Sequence, residues 1–240
     1  MQPKIYHFNT LNSTQDKAKE FSKKGLNDII IIADAQTKSR GRFKRKWHSG
    51  KGGLWMSILL KPDDTKNLQY LTFAAAVAVV KSIKKITGVK AKIKWPNDVH
   101  YNGKKLCGIL TEGIFGRENH VIIGIGLNAN QDNFSTDIRN IATSIKIISN
   151  KETSINHLSK NIINEFFKIY NNQYNKNKLK YILKSWKNYC DTINKNIIVI
   201  SKNKKTYGKA IGIDNGCNLL LELESKKILK IMEGDLKVRY

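Results

Sequence analysis

The 240-residue sequence contains no long apolar run and no apolar segment at its start. Its longest apolar stretch, residues 73–80, is far shorter than the roughly 20 residues that a transmembrane helix needs. The opening residues, MQPKIYHFNT, lack the apolar core of a secretory signal. The sequence therefore predicts a cytoplasmic protein without a membrane partner.

Cysteine is also scarce. The three cysteines, Cys107, Cys190 and Cys217, are far apart and form no CxxC pair, and the five histidines are scattered. These spacings exclude a disulfide scaffold and a His/Cys metal centre. We expect reduced thiols, and we interpret Cys107 as a small buried thiol rather than as a nucleophile that forms a thioester.

Acidic residues are outnumbered by basic ones. The sequence has 19 Asp and Glu against 43 Lys and Arg, a formal net charge of +24 at pH 7. Such a charge is typical of proteins that bind nucleic acid, so a basic nucleic-acid-binding regulator is one alternative function. The excess is spread along the whole chain, however, and consists mostly of lysine among many Asn and Ile residues. We interpret it as compositional bias.

Arginine is rare, which makes its placement informative. Three of the six arginines, Arg40, Arg42 and Arg45, lie within one six-residue stretch. Planar guanidinium groups bind carboxylate and phosphate oxygens in a bidentate geometry that an ammonium group cannot match. The surrounding residues 36–53, here called the clasp loop, contain four glycines and no acid. We expect a mobile loop that closes over an anionic ligand; a plain solvated loop is the alternative.

Hydrophobic periodicity predicts a mixed α/β arrangement. One predicted helix is capped by Ser13-Thr14 at its start and by Gly25 after its end. Further helices are predicted over residues 68–87, closed by Gly88, and over residues 155–174 and 179–189. Two strands are predicted over residues 29–33 and 54–60. A third strand ends at Pro96, a fourth starts at Lys105 after the Asn102-Gly103 turn, and a fifth ends at Asn128. This alternation predicts a sheet with flanking helices.

After Asp191 the sequence changes to short apolar runs separated by turns such as Asp214-Asn215-Gly216. That pattern is typical of a small all-β unit. We therefore predict two domains: a catalytic α/β domain with a mixed sheet over residues 1–190, and a small SH3-like β-barrel over residues 191–240.

Several familiar motifs are absent. The Gly124-Ile-Gly126 run lacks the third glycine of a dinucleotide fingerprint, and neither a Walker loop nor GxSxG occurs. Two other positions remain as candidates. Lys105 begins an apolar strand, where an amine partly removed from water acts more strongly on an anion. Asn128 ends an apolar strand, where open sheets bind ligands. A charged hairpin tip and a simple turn asparagine are the alternatives.

The order of the motifs adds a further observation. Ser13-Thr14, Gln36, SRGRFKRKW, KWPND, KKLCG and GIGLN closely resemble, in order and separation, the biotin protein ligases. The resemblance implies that biotin and MgATP form biotinyl-5′-adenylate, and that a lysine of a biotin carboxyl carrier protein then displaces AMP. The chain begins almost at the catalytic core, so it resembles the monofunctional type, for which no specific DNA binding is expected. Homodimers are common in the family.

The resemblance also implies roles for individual residues. Ser13, Thr14, Gln15 and Gln36 would line the biotin head-group site, and Ser39, Arg40, Gly41 and Arg42 would cover biotin and its adenylate. Lys105 would contact the biotin carboxylate and then the phosphoanhydride, with Arg40 and Arg42 as its catalytic partners. Gly108 would allow close packing against the biotin rings. Asn128 would lie near the triphosphate and the Mg²⁺ that ATP carries, and Arg239 would reach toward the nucleotide.

One position departs from the family pattern. The common GRGR reads Ser39-Arg40-Gly41-Arg42 here, and a requirement for positive φ at Ser39 would weaken the assignment. The closest rival enzyme is a lipoate–protein ligase, which shares the fold and the adenylation chemistry. The full RGRxxRxW set favours the biotin enzyme.

Overall fold

The structure, a computed structural model, describes residues 3–116, 118–201 and 204–238. Its larger sheet has seven strands: β1 (Lys4–Leu11), β2 (Ile29–Gln36), β3 (Leu54–Leu60), β4 (Lys92–Lys94), β5 (Asp98–Tyr101), β6 (Lys104–Ile114) and β7 (His120–Leu127). The strand order is β1-β2-β3-β7-β6-β5-β4. Only β1 and β2 of these neighbours pair in parallel, so the predicted mixed sheet is confirmed.

The helices cover both faces of this sheet. They are α1 (Thr14–Lys23), α2 (Leu68–Thr87), α3 (Ile145–Ser149), α4 (Ile155–Ile169) and α5 (Leu179–Tyr189). Helix α1 contacts β2, β3 and β7, whereas α2 packs between the other face and α4 and α5. Successive residues of a strand point to opposite faces, so Ile30 joins the α2 core while Ile31 joins the smaller core under α1.

Helix ends follow the predicted capping signals. The Ser13 side chain accepts a hydrogen bond from the Asp16 N–H at the start of α1. Gly25, with φ of 71°, follows the end of the same helix. Gly88 ends α2 in the left-handed region, where its N–H donates to the Lys84 carbonyl.

Several predicted boundaries are wrong; β2, for example, continues to Gln36 although its predicted end is residue 33. Strand β4 ends at Lys94 rather than at Pro96, because the Trp95 N–H donates to Thr192 Oγ1 and proline has no N–H for a ladder. The helix predicted over residues 155–174 leaves regular α-geometry after Ile169 and ends in a π-helical turn, Tyr170–Tyr174. That wider turn accompanies a tertiary contact, since the Tyr174 hydroxyl donates to the Asp64 carbonyl.

The C-terminal segment forms the predicted all-β unit. Its strands are β8 (Asn196–Ser201), β9 (Lys204–Ile213), β10 (Leu219–Glu222), β11 (Ile228–Ile231) and β12 (Asp235–Val238). They pair antiparallel in the order β11-β10-β9-β8-β12. A separate five-stranded antiparallel sheet is the content expected of a small SH3-like unit.

The two sheets share one apolar core. Leu221 and Leu236 of the smaller sheet belong to the same buried cluster as Trp95 of the larger one. Polar contacts cross the junction as well: Trp95 Nε1 donates to the Cys217 carbonyl at 2.9 Å, and the Tyr70 hydroxyl donates to the Asn215 carbonyl at 2.7 Å. The C-terminal sheet is therefore packed firmly against the α/β part. Over the ranges given above, no helix is both long and apolar enough to cross a membrane.

Candidate active site

A cavity of about 280 Å³ lies on the α1 face of the large sheet, beneath the clasp loop. Glycines create its floor. Gly108 of β6 pairs with Gly126 of β7, and Gly124 is the next β7 residue on that face. A Cβ atom at Gly126 would lie 2.6 Å from Trp47 Nε1, and one at Gly124 would lie 2.9 Å from Gln15 Oε1. Because these strand positions lack side chains, Trp47 and Gln15 can lie directly against the sheet at the cavity floor.

The residues predicted for the site surround this one cavity. Those that line it are Ser13, Thr14, Gln15, Gln36, Ser39, Arg40, Gly41, Arg42, Lys105, Gly108 and Asn128. Arg239 lies outside the described residues. Proximity around one cavity is the observation; the role of each residue toward a ligand stays a prediction.

Uncharged polar groups form one end of the cavity. Ser13, Thr14 and Gln15 are almost fully buried there, at the start of α1. The Thr14 N–H donates to Gln36 Oε1 at 2.7 Å, and Gln36 Nε2 donates to Ser49 Oγ at 3.1 Å. These two bonds orient the Gln36 amide, because its Oε1 accepts from a backbone N–H and its Nε2 donates to a hydroxyl. This end suits a neutral ligand group that both donates and accepts hydrogen bonds.

The clasp loop has internal order. Arg40 and Lys46 form an isolated antiparallel bridge, and the Gly41 N–H donates to the Arg45 carbonyl at 2.8 Å. Ser39 joins the two ends of this turn, because its hydroxyl donates to the Trp47 carbonyl at 2.6 Å. Ser39 is not among the described residues with positive φ. A serine is therefore accommodated where the family commonly has glycine.

Each arginine of the clasp loop meets an acceptor outside the loop. Arg40 Nη1 lies 2.9 Å from Asp16 Oδ1, and Arg40 Nη2 lies 3.6 Å from Glu112 Oε2. Arg45 forms an ion pair with Asp235 of the smaller sheet. Although the loop itself has no acid, its cations have partners on α1, β6 and β12.

Arg42 is more enclosed than its neighbours. Its Nη1 donates to Asn97 Oδ1 at 3.1 Å and to the Gly234 carbonyl at 3.4 Å. Burial lowers the pKa of Arg42, and the Asp235 and Asp98 carboxylates offset part of this effect. Arginine nevertheless stays protonated in proteins. Arg42 is therefore partly covered by the smaller sheet, through its contact with Gly234.

Lys105 lines the cavity beside Gly108 and Trp47. Its Nζ is 2.7 Å from Asp98 Oδ1 and 5.2 Å from the centre of the Trp47 ring. The β5–β6 register shifts between Val99 and His100, so β6 has one extra residue there. This bulge explains why Lys105 and Gly108 both line the cavity although they are an odd number of positions, three, apart in the strand. Lys104 is exposed, as alternation predicts.

One wall of the cavity was not predicted. Phe134, Ile138, Ile141 and Ala142 line it from the connection between β7 and α3, and Ile141 is 63% exposed. This connection has no hydrophobic period that would have indicated a site. It is joined to Lys105 by backbone bonds: the Lys105 N–H donates to the Ile141 carbonyl at 2.7 Å, and the Thr143 N–H donates to the Lys105 carbonyl at 2.9 Å.

Asn128 anchors the same connection. It is 4% exposed, and its Nδ2 donates to the Thr143 carbonyl at 3.0 Å. His48 Nε2 of the clasp loop lies 3.4 Å from Asp137 Oδ2, which precedes Ile138 of the apolar wall. The clasp loop and the β7–α3 connection are therefore in contact. Asp98, Trp47 and Asp235 also line the site.

The described side chains argue against two other chemistries. No group of three or more His, Cys, Asp or Glu residues among them could hold a metal ion. Cys107 is fully buried, and burial raises the pKa of its thiol far above neutrality, which disfavours a thiolate nucleophile. The arrangement instead offers neutral polar groups, a glycine floor, cationic side chains and an apolar wall around one cavity. Such a site can hold an acid with a polar head beside an anionic, ring-bearing second substrate.

The sequence matches known families over most of its length. A model of the Biotin/lipoate A/B protein ligase family matches residues 7–128, and a model of the Biotin protein ligase C terminal domain matches residues 192–237. The Bacillus subtilis (strain 168) bifunctional ligase/repressor BirA is 39% identical over 241 residues, covering 98% of this chain and 73% of the relative.

Solved structures agree. A biotin protein ligase from Aquifex aeolicus in complex with biotin and ATP has a TM-score of 0.87 and 27% identity, covering 98% of both chains. A biotin protein ligase from Leishmania major in complex with biotinyl-5-AMP has a TM-score of 0.67 at 21% identity, covering 97% of this chain and 100% of that chain. At that identity the likeness is one of fold.

Proposed function

Because the chain belongs to the Biotin/lipoate A/B protein ligase family, we propose that its cavity activates biotin with ATP and transfers it to a carrier protein. The carrying observation is one cavity whose lining combines the neutral polar groups Ser13, Thr14 and Gln36 with the cations Arg40, Arg42 and Lys105. The Aquifex relative has biotin and ATP bound.

In the first half-reaction a biotin carboxylate oxygen attacks the α-phosphorus of ATP, and the bond to pyrophosphate breaks. Two anions must approach each other, and they repel. Arg40, Arg42 and Lys105, which line the cavity, are the cations that reduce this repulsion and stabilise the charge that develops between carboxylate and phosphate. The glycine floor lets the biotin rings lie against the sheet. The apolar wall of Ile138 and Ile141 offers a surface for the adenine ring.

Mg²⁺ would arrive with ATP as its phosphate complex. The cavity lining includes only two carboxylates among the described residues, Asp98 and Asp235, and each is paired with a cation. Such a set does not form a cage for a resident metal. Asn128, beside the connection that includes the apolar wall, is the uncharged side chain that we assign to the triphosphate end.

In the second half-reaction the acceptor lysine amine attacks the acyl carbon, the bond to AMP breaks and the amine loses a proton. Asp98, which is paired with Lys105, is the carboxylate that we assign to receive that proton. The acceptor is a biotin carboxyl carrier domain of a carboxylase. We further propose that residues 1–190 form the catalytic domain and residues 191–240 the SH3-like domain, that the protein is cytoplasmic and that it can form a homodimer. Sequence-specific DNA binding is not expected.

The test is biotin-dependent exchange of pyrophosphate into ATP, with lipoate as the competing acid. Exchange with biotin but not with lipoate would support the proposal. Exchange with lipoate alone would identify the rival ligase. A salt-sensitive, sequence-specific shift of DNA without any exchange would support the nucleic-acid-binding alternative.

A further inference from the structure

Ser57 is a polar residue in the middle of an apolar strand. It is fully buried in β3, whose sequence is LWMSILL. Burying a hydroxyl group is unfavourable unless it forms hydrogen bonds. The partners of Ser57 are therefore informative about why a serine is present at this position.

Two groups at the polar end of the cavity contact Ser57. Its Oγ lies 2.8 Å from Thr14 Oγ1 and 3.0 Å from Gln15 Oε1. A serine hydroxyl has one hydrogen, so it can donate to only one of these atoms, although it can accept from another donor at the same time. The direction of the two bonds then depends on which neighbour can itself donate.

The Gln15 amide has a fixed orientation. Its Nε2 donates to Glu112 Oε2 at 2.8 Å and lies 3.4 Å from the Leu110 carbonyl. Both partners are acceptors, since an ionised carboxylate cannot donate. The Gln15 carbonyl oxygen Oε1 therefore points at Ser57, which is the donor within hydrogen-bond distance among the described groups. Ser57 must give its hydrogen to Gln15, because an unsatisfied buried carbonyl is costly.

This assignment fixes the remaining bond. With its hydrogen used on Gln15, Ser57 accepts from the Thr14 hydroxyl, and the Thr14 lone pairs face the cavity. We propose that Ser57 is a positioning residue in a directed relay, from Thr14 through Ser57 and Gln15 to Glu112, which makes Thr14 a hydrogen-bond acceptor for the ligand. The inference rests on the proposed function, because it assigns Thr14 to the biotin head group.

The relay would determine specificity. The biotin head group is a cyclic urea with two N–H donors, and one of them can donate to Thr14. The dithiolane ring of lipoate has no N–H, so it would leave the Thr14 oxygen without a donor. Sites built to hydrogen-bond a substrate group strongly reject analogues that lack that group.

The experiment is a double-mutant cycle between Ser57 and Thr14. Removing the Ser57 hydroxyl lets the Thr14 hydrogen turn toward the ligand N–H, so Ser57→Ala should raise the KM for biotin in pyrophosphate exchange about 5- to 50-fold. The kcat at saturating biotin should change by less than about threefold, because the ATP end is untouched. In a Thr14→Val background, Ser57→Ala should change the KM by less than about twofold, because its effect passes through Thr14.

Ser82→Ala is the matched control, since Ser82 is a buried serine on α2 whose Oγ has no hydrogen-bond partner. It should leave the KM unchanged. If Ser57→Ala raises the KM equally in both backgrounds, or if it matches Ser82→Ala, the relay is wrong. Absence of exchange with biotin in the wild-type chain would instead overturn the proposed function itself.

A ligand pair tests the relay even if Ser57→Ala does not fold. Two cyclic carbamate analogues of biotin each replace one ureido N–H by oxygen. The wild-type chain should bind one of them at least about tenfold more weakly than biotin, because its ring oxygen would face the Thr14 lone pairs. Gln15→Met, which frees the Ser57 hydrogen to turn toward Thr14, should reduce that discrimination. Equal binding of biotin and both carbamates would contradict the relay.

Discussion

Single side chains determine the charge balance of the site. Before a ligand binds, Asp16 neutralises Arg40, Asp235 neutralises Arg45 and Asp98 neutralises Lys105. Ion pairs that stay in contact with water, as these partly exposed ones do, are worth little in stability, so an incoming carboxylate or phosphate can replace them. The cations are thus kept in position without being locked.

Lys105 and Lys104 form a natural pair of test positions. Lys105→Ala should reduce the rate of biotinyl-adenylate formation by about 100-fold or more, the loss expected for one preorganised electrostatic donor. Biotin affinity should fall too, because the amine also meets the ground-state carboxylate. Lys104→Ala should have little effect, since Lys104 is exposed. ATP–pyrophosphate exchange measures both; a larger defect in Lys104→Ala would mean that the wrong lysine is assigned.

Arg42 should control how long the intermediate stays bound. A charged hydrogen bond contributes about 1.5–3 kcal/mol, so Arg42→Gly should release the adenylate about 10- to 100-fold faster and label bystander lysines. Some stability should be lost as well, because Arg42 bonds Asn97 and the Gly234 carbonyl. Lys44→Gly is the control: Lys44 has φ of 56°, where glycine is relaxed. If Lys44→Gly releases the adenylate equally fast, Arg42 has no specific role.

Most residues of the site, but not the orientation of every side chain, could be predicted from the sequence. Motif order indicated Ser13, Thr14, Gln36 and Lys105, and the structure brings them to one cavity. The bulge that turns Lys105 to the same side as Gly108 is a register shift inside the β5–β6 hairpin, which the pattern of apolar and polar residues does not mark. The alternation rule alone would have put these two residues on opposite faces.

At the scale of elements, two segments cover the cavity and differ in how predictable they were. The clasp loop is recognisable in the sequence by its glycines and by its basic residues without any acid. The apolar wall, in contrast, has no sequence motif or hydrophobic period that would predict it. Its position depends on Lys105, whose backbone bonds to Ile141 and Thr143 join distant parts of the chain. Helix ends, by contrast, depend on local capping, and Ser13 and Gly88 were predicted from the sequence.

The clasp loop should become more ordered when a ligand binds. The backbone N–H groups of residues 36–38, at its start, donate hydrogen bonds. Further along the loop the backbone donors are Gly41, Arg45 and Trp47. Hydrogen exchange of residues 38–50 should therefore be fast without ligand and slow at least about tenfold with biotin and ATP. Peptides from α2 serve as the internal control, because that helix is buried in the core. Unchanged exchange in the loop at saturating ligand would contradict its closing over the site.

At the scale of the whole molecule, a polar junction joins the two sheets. His100 Nε2 lies 2.8 Å from Asp191 Oδ1, and Lys195 Nζ lies 3.2 Å from Asp191 Oδ2. Burial alone would raise the pKa of Asp191, but its bonds to His100 and Lys195 outweigh that effect and lower the pKa. The two units share one apolar core as well as this junction. The change in the pattern of apolar residues after Asp191 therefore divides the chain into two units, but it does not predict how tightly they pack.

Asp191 should make the protein sensitive to acid. A depressed carboxyl pKa contributes stability above its unfolded value, about 3.9, and that contribution is lost as pH falls through the folded pKa. Asp191→Asn should therefore lower the melting temperature at pH 7 by roughly 3–8 °C. The difference from wild type should shrink as the pH falls below about 4, where the carboxyl of the unfolded chain becomes protonated, and should vanish below the lowered pKa of the folded state. Asp132→Asn, at an exposed ion pair with Lys146, is the control; an equal effect there would contradict a special role for the junction.

The central claim is that this one cavity forms biotinyl-adenylate and passes biotin to a carrier lysine. The most direct measurement incubates the purified chain with ATP, Mg²⁺, biotin and a biotin carboxyl carrier domain, and follows the mass of the carrier domain. The account predicts one added biotin per carrier domain, dependent on both ATP and biotin, and none when the acceptor lysine is replaced by arginine. An unmodified carrier domain, or modification by lipoate in preference to biotin, would contradict it.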